Sequence, residues 1–150
     1  MSDLVKVFFK IEPDEDGYPD VRSESVWAID AGSPDAYIID NIPFFAREAS
    51  LGDTVRVRLQ DGVRWFDAVI SESPNSLMRV FCFDRTAVDD VSKELIDLGC
   101  ATEYFKSYNL LAVSIPGARI LASTESYLNK KLDMGLLDYE GAIYRLSAVD

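Results

Sequence analysis

Asp40-Asn41-Ile42-Pro43-Phe44-Phe45-Ala46-Arg47-Glu48-Ala49-Ser50-Leu51-Gly52-Asp53-Thr54-Val55-Arg56-Val57 sets the plan of the chain, because it separates two strand-like runs with a turn and an aromatic plug. Asn41 and Pro43 interrupt a β ladder, Phe44 and Phe45 supply apolar surface, and Gly52-Asp53 turns the chain into the alternating run Thr54–Leu59. These residues are turn, proline and aromatic types. They point to scaffold, with Asn41, Pro43, Phe44, Phe45, Gly52 and Asp53 as its structural motif.

Working outward, Leu4–Ile11, Glu24–Asp30 and Ala36–Ile39 alternate as strands before the plug. Between the first two lies Glu12–Asp20, EPDEDGYPD, whose prolines, glycine and five acids exclude it from a sheet. After the plug, Thr54–Leu59 and Arg64–Ile70 flank the hairpin turn Gln60-Asp61-Gly62, and Leu77–Phe83 follows as a further strand. The expectation is an antiparallel β meander curled into a small barrel-like sheet.

The period then changes. Thr86 with Asp89 predicts a capping box, and Val88, Val91, Leu95 and Leu98 recur at helical spacing until Gly99. Strands over Cys100–Tyr108 and Leu110–Ile115, a helix from Pro116-Gly117 through Lys131, and a strand over Leu137–Leu146 with a bulge at Gly141 complete the chain. Strand, helix, strand, strand, helix, strand is the ferredoxin-like split βαβ order. The fold class expected is α+β, an N-terminal meander fused to a C-terminal ferredoxin-like half. The lobes are approximately 1–76 and 77–150 of one compact body, with Leu77–Phe83 shared between them.

Composition limits the chemistry. The 150 residues are 48% hydrophobic and 27% charged, ordinary for a folded chain able to bury a core without a disulfide or metal. Fifteen basic against 26 acidic residues give a net charge of −11, which repels phosphate backbones and disfavours nucleic acid as a partner. Residues 1–75 hold 15 of the acids and 7 of the bases, so the negative charge is concentrated early. The start of the chain lacks a signal-peptide pattern and no run reaches the length of a membrane span, so a cytoplasmic location without membrane contact is expected. Cys82 and Cys100 lie in apolar surroundings and read as reduced, buried hydrophobes.

The absence of histidine removes Ser-His-Asp and Cys-His nucleophiles and imidazole metal sites, and no phosphate-cradling glycine loop is present. Glu12-Pro13-Asp14-Glu15-Asp16-Gly17 imitates the start of a calcium loop, but Ser23 stands where the twelfth-position glutamate belongs, and a solvated acidic loop is the preferred reading. Carboxylate pairs such as Asp30 with Asp40, or Asp53 with Asp67, could meet across a sheet. No cofactor, metal or catalytic residue is expected. Trp65, Tyr104 and Tyr108 are of the amphipathic type that concentrates at protein contacts.

The NIPFF and Gly52-Asp53 segments, with Ser23-Glu24-Ser25-Val26-Trp27-Ala28 upstream and Leu95-Ile96-Asp97-Leu98-Gly99 and Tyr139-Glu140-Gly141-Ala142 downstream, resemble an uncharacterised bacterial family, domain of unknown function 4265. The resemblance covers nearly the whole chain and implies a short bacterial cytosolic protein; it brings no catalytic residue.

An acidic, histidine-free bacterial chain suits the neutralisation of a basic protein by carboxylates that imitate phosphates. The functional expectation is therefore a non-enzymatic immunity-type inhibitor of a basic toxin or effector, monomeric or weakly homodimeric. Its candidate contacts are Glu12, Asp14, Glu15, Asp16, Asp20, Asp35, Asp40, Trp65, Tyr104 and Tyr108. The alternatives are a small-ligand regulatory module of ferredoxin-like fold and an enzyme built on a carboxylate pair.

Overall fold

The computed structural model describes residues 4–146, so residues 1–3, part of the signal-peptide reading, lie outside the described residues, as do 147–150. Among the described residues are nine strands and two α-helices in two sheets, a mixed and mostly β protein. The chain divides into two compact units, Met1–Ser73 and Pro74–Asp150.

In the first unit, β1 (Leu4–Lys10), β2 (Ser23–Asp30), β3 (Ala36–Ile39), β4 (Thr54–Gln60) and β5 (Val63–Ser71) form a closed barrel in chain order. Alternation decides what it encloses. Val7 and Phe9 of β1, Val26 and Ala28 of β2, Ile39 of β3 and Val55 and Val57 of β4 are buried in one cluster, while Lys6, Phe8 and Lys10 take the outward positions between them. Phe9 stacks on Phe66 of β5 with ring centroids 4.8 Å apart, and burying side chains of this size stabilises by about 2 kcal/mol each. Four consecutive pairs are antiparallel. Five strands in a meander leave the first and last parallel, and the closing pair of β1 and β5 is registered at Phe8 and Trp65. Asp61 and Gly62 both have positive φ, 52° and 79°, as a two-residue hairpin between Gln60 and Val63 requires.

The second unit contains β6 (Asn75–Cys82), α1 (Val88–Leu98), β7 (Ala101–Phe105), β8 (Leu110–Pro116), α2 (Ala118–Asp133) and β9 (Leu137–Ile143), with antiparallel sheet order β7-β8-β6-β9. Met78 and Val80 of β6 and Leu111, Val113 and Ile115 of β8 face Val91 and Leu95 of α1 and Leu121 and Leu128 of α2. Gly99 ends α1 at φ 114°, its amide returning to Ile96 O at 2.9 Å, which is the left-handed cap that only glycine adopts without strain. Cys82 and Cys100 are free and buried, and burial pushes both thiols up.

Three expectations are corrected. The strand expected at Leu77–Phe83 is not shared: β6 pairs with β8 and β9, because β1 already occupies the edge of β5. Its stretch Ser76–Val80 is buried on both faces, as a central strand demands. The expected strand Cys100–Tyr108 stops at Phe105 and turns through a short 3-10 segment, Lys106–Tyr108, which Asn109 ends at φ 50°.

The third concerns the start of α1. A 3-10 turn, Arg85–Ala87, precedes it, and Asp84 rather than Thr86 is the cap: its Oδ1 accepts from Thr86 N (2.9 Å) and Thr86 Oγ1 (2.7 Å). Those bonds favour the ionised form and lower the Asp84 pKa. A depressed folded pKa contributes stability above the ordinary value and loses it as pH falls through the folded one. In a carboxyl titration followed by NMR, Asp84 is expected to protonate below 3.8. Protection of the Thr86 amide should fall in the same acid range, and titration at or above 3.8 would contradict this cap.

Candidate functional site

The signature loop between β3 and β4 is held by two carboxylates and one carboxamide. Asn41 continues the β2–β3 ladder with its side chain, Oδ1 accepting from Trp27 N at 2.6 Å while Asp40 N donates to Trp27 O at 2.8 Å. Glu24 reaches from β2 to three successive amides, accepting from Phe44 N (2.6 Å), Phe45 N (2.9 Å) and Ala46 N (2.8 Å). Successive amides that converge on one anion form a concave nest. Ile42, Pro43 and Ala46 are buried, and Phe45 packs on the barrel core.

Asp53 closes the other end. It is fully buried, and its carboxylate accepts from Ser50 N (2.9 Å) and Ser73 N (2.8 Å), while Ser73 Oγ donates to Leu51 O (2.7 Å). Gly52 takes φ 85° between these anchors. Asn41 and Asp53 of the motif, together with Glu24, are therefore backbone brackets.

The carboxylate pairs considered for catalysis are not assembled by these strands. Asp40 stands level with Trp27, three residues along β2 from Asp30, which is about 10 Å of strand. Asp53 serves the amides just named, whereas Asp67 meets Arg56 (2.8 Å) and Arg58 (3.9 Å).

The candidate contacts fall into separate groups. Glu12, Asp14, Glu15, Asp16 and Asp20 are all exposed on the β1–β2 loop. Asp14 does double duty, for its Oδ1 accepts from Asp16 N and Tyr18 N, each at 2.9 Å, and so shapes the loop. The Tyr18 and Phe45 rings meet in a T-shaped contact, with centroids 6.2 Å apart, which joins the acidic loop to the signature loop. Both loops leave the same end of the barrel, and exposed Asp40 lies there as well. Asp35 does not. It occupies the β2–β3 turn at the opposite end, with φ 59° and its carbonyl accepting from Val57 N at 2.8 Å.

Tyr104 and Tyr108 belong to the second unit. The Tyr104 hydroxyl donates to Asn109 Oδ1 (2.7 Å), Asn109 Nδ2 donates to Cys82 O (2.8 Å), and the Tyr108 ring lies 5.3 Å from that of Phe105. These are local structural contacts. Trp65, by contrast, stands on the outside of the barrel beside Phe8, with ring centroids 5.8 Å apart.

A cleft of about 460 Å³ in the second unit is lined by Val91, Glu94, Asp97, Lys131 and Leu136, among others. Its Glu94 accepts from the Tyr127 hydroxyl at 2.5 Å and lies 3.9 Å from Lys131 Nζ. Burial, reinforced by Glu94, raises the Tyr127 pKa, so the phenol stays protonated and structural. Among the described residues no group of three His, Cys, Asp or Glu is placed to hold a metal, and no helix is long and apolar enough to cross a membrane.

Sequence reasoning missed the outward face of β1 and its neighbours. Lys6 lies directly opposite Trp27, its Nζ 5.0 Å from the ring centroid, and Lys10 Nζ stands 5.7 Å from that of Trp65. Ser25, Phe8, Trp65 and Arg58 form one row across β2, β1, β5 and β4. The signal available was the alternation Lys6, Phe8, Lys10 on one side of a strand, but the partners need the register.

The family model described as domain of unknown function (DUF4265) matches residues 24–139, from the glutamate that brackets the loop to the middle of β9. The chain belongs to the DUF4265 family. This DUF4265 protein also has a structural likeness to a hypothetical protein from Neisseria gonorrhoeae known from a crystal structure, with TM-score 0.74, 21% identity and 98% of each chain covered. At that identity the likeness shows the fold. No curated protein matches the chain.

Proposed function

We propose that this DUF4265 protein is a non-enzymatic binding protein of the immunity type, which neutralises a basic protein through its β1–β2 loop. The observation that carries the reading is the preformed anionic loop. Five exposed carboxylates sit on a backbone fixed by Asp14 and braced by the Tyr18–Phe45 contact. A surface ordered before binding loses little conformational entropy on association, and its charge steers a cationic partner. Glu12, Glu15, Asp16 and Asp20 are the side chains offered to the partner, with Asp40 beside them; Asp14 is kept for shaping the loop. We read the architecture that carries it as a β-meander barrel fused to a ferredoxin-like split βαβ half, from the order β7-β8-β6-β9 and the packing of both helices on one face.

The test is salt-dependent capture. The immobilised chain should retain a basic protein from its source cells in about 0.15 M salt and release it at about 0.5 M, where screening shortens the reach of the charges. The triple variant Glu12→Lys, Glu15→Lys, Asp16→Lys should lose at least about tenfold in affinity for that protein. Retention unchanged by salt and by the triple variant would overturn the reading.

A further inference from the structure

The outward side of β1, β2, β4 and β5 carries charge opposite in sign to the molecule as a whole. Lys6, Lys10, Arg56 and Arg58 stand there against one carboxylate, Asp67, which already serves both arginines. Phe8 and Trp65 lie between the cations of β1 and β4, while Trp27, 43% exposed, stands beyond Lys6 on β2 with Asp40 on its far side. Among the described residues no carboxylate forms an ion pair with Lys6 or Lys10, and none of the five loop acids has a cationic partner. The two blocks abut on one strand, since Lys6, Phe8 and Lys10 lead directly into Ile11 and Glu12.

We propose that this bipolar surface is a self-association site, whose occupant is the acidic loop of a second copy of the chain. A two-fold axis through the boundary between the blocks would set the loop of each copy over the cationic–aromatic face of the other, a self-complementary, closed arrangement. Exposed Tyr18 would then bring an aromatic ring to the face that carries Trp27 and Phe8. The occupant is an acidic protein segment rather than nucleic acid because each indole has an ammonium over its ring, presenting cations where base stacking needs a bare face.

Two bodies of net charge −11 repel each other at long range. At about 0.1 M salt the screening length is about 10 Å, which weakens that repulsion while contacts at bonding distance survive. Association should therefore be strongest near physiological salt and fall by about 1 M. This inference needs no foreign partner and does not rest on the proposed function, although a basic protein would compete with the second copy for the same loop.

The experiment is a charge exchange read by sedimentation velocity on the full chain at about 100 µM and about 0.1 M salt. The native chain is expected to dimerise. The double variants Lys6→Glu with Lys10→Glu, and Glu15→Lys with Asp16→Lys, should each be monomeric, because like charges then face one another. Mixed one to one, the two variants should recover the dimer, since each reversed loop meets a reversed face; a misfolded variant would not do so. A monomeric native chain, dimers that persist in both variants, or a mixture that stays monomeric would each overturn the proposal. So would a single-stranded oligothymidine that binds the native chain through Lys6 and Lys10 while the chain stays monomeric.

Discussion

Asp53→Ala is expected to destabilise the first unit by about 3 kcal/mol, because it removes the acceptor of one buried and one half-buried amide, and unsatisfied burial costs about 1–3 kcal/mol per group. Those amides are Ser50 N and Ser73 N, and the carboxylate that serves them has no exposed surface. Asp53→Asn keeps the shape and one acceptor oxygen but turns an NH2 toward the second amide, so a smaller loss of about 2 kcal/mol is expected. Both tryptophans, Trp27 and Trp65, belong to the first unit, so their fluorescence in a denaturant titration follows that unit alone. A loss below about 1 kcal/mol for the alanine variant would show that other contacts hold the Ser50–Asp53 turn.

The second large effect is expected at Glu24, whose carboxylate receives three successive amides of the NIPFF loop. Hydrogen bonds to a charged acceptor contribute about 1.5–3 kcal/mol apiece when well buried. Glu24 is half-buried and water can replace part of what is lost, so Glu24→Ala should cost about 2 kcal/mol in all. The sharper readout is local. Hydrogen exchange at Phe44, Phe45 and Ala46 should accelerate at least about tenfold while the β4–β5 amides keep their protection. Glu24→Gln should fall between, because one carbonyl oxygen can still receive Phe45 and Ala46. Unchanged exchange at all three amides would remove Glu24 from its bracketing role.

Much of the fold was legible because its strands and helices carry their own periods. Lys6, Phe8 and Lys10 alternate with Val5, Val7 and Phe9, Asp61-Gly62 supplies a hairpin turn, and Gly99 stops a helix with Val88, Val91 and Leu95 on one side. What sequence hid was partnership. Leu77–Val80 reads equally well as a barrel strand or a central strand, and only the prior closure of β5 on β1 decides between them. Glu24 looks like a polar residue at a strand start, since the amides it receives lie 20 to 22 positions away. The acidic loop announced itself by composition, but the bonds of exposed Asp14 to the amides of its own loop did not, and neither did the distance of Asp35 from it. The lysine–indole pairs needed the β1–β2 and β1–β5 registers before Lys6 could be set against Trp27 and Lys10 near Trp65.

The parallel seam between β1 and β5 also orders the events by which the barrel comes together. Its antiparallel neighbours join segments adjacent in the chain, whereas Phe8 and Trp65 belong to the first and last strands and can meet only after the intervening chain has been gathered. Closing so long a loop carries an entropic cost that local hairpins avoid, so the hairpins nucleate and the seam is sealed late. The Phe8–Trp65 pairing, rather than Trp65 itself, thus belongs to the end of assembly, since Trp65 already meets Arg58 within the local β4–β5 hairpin.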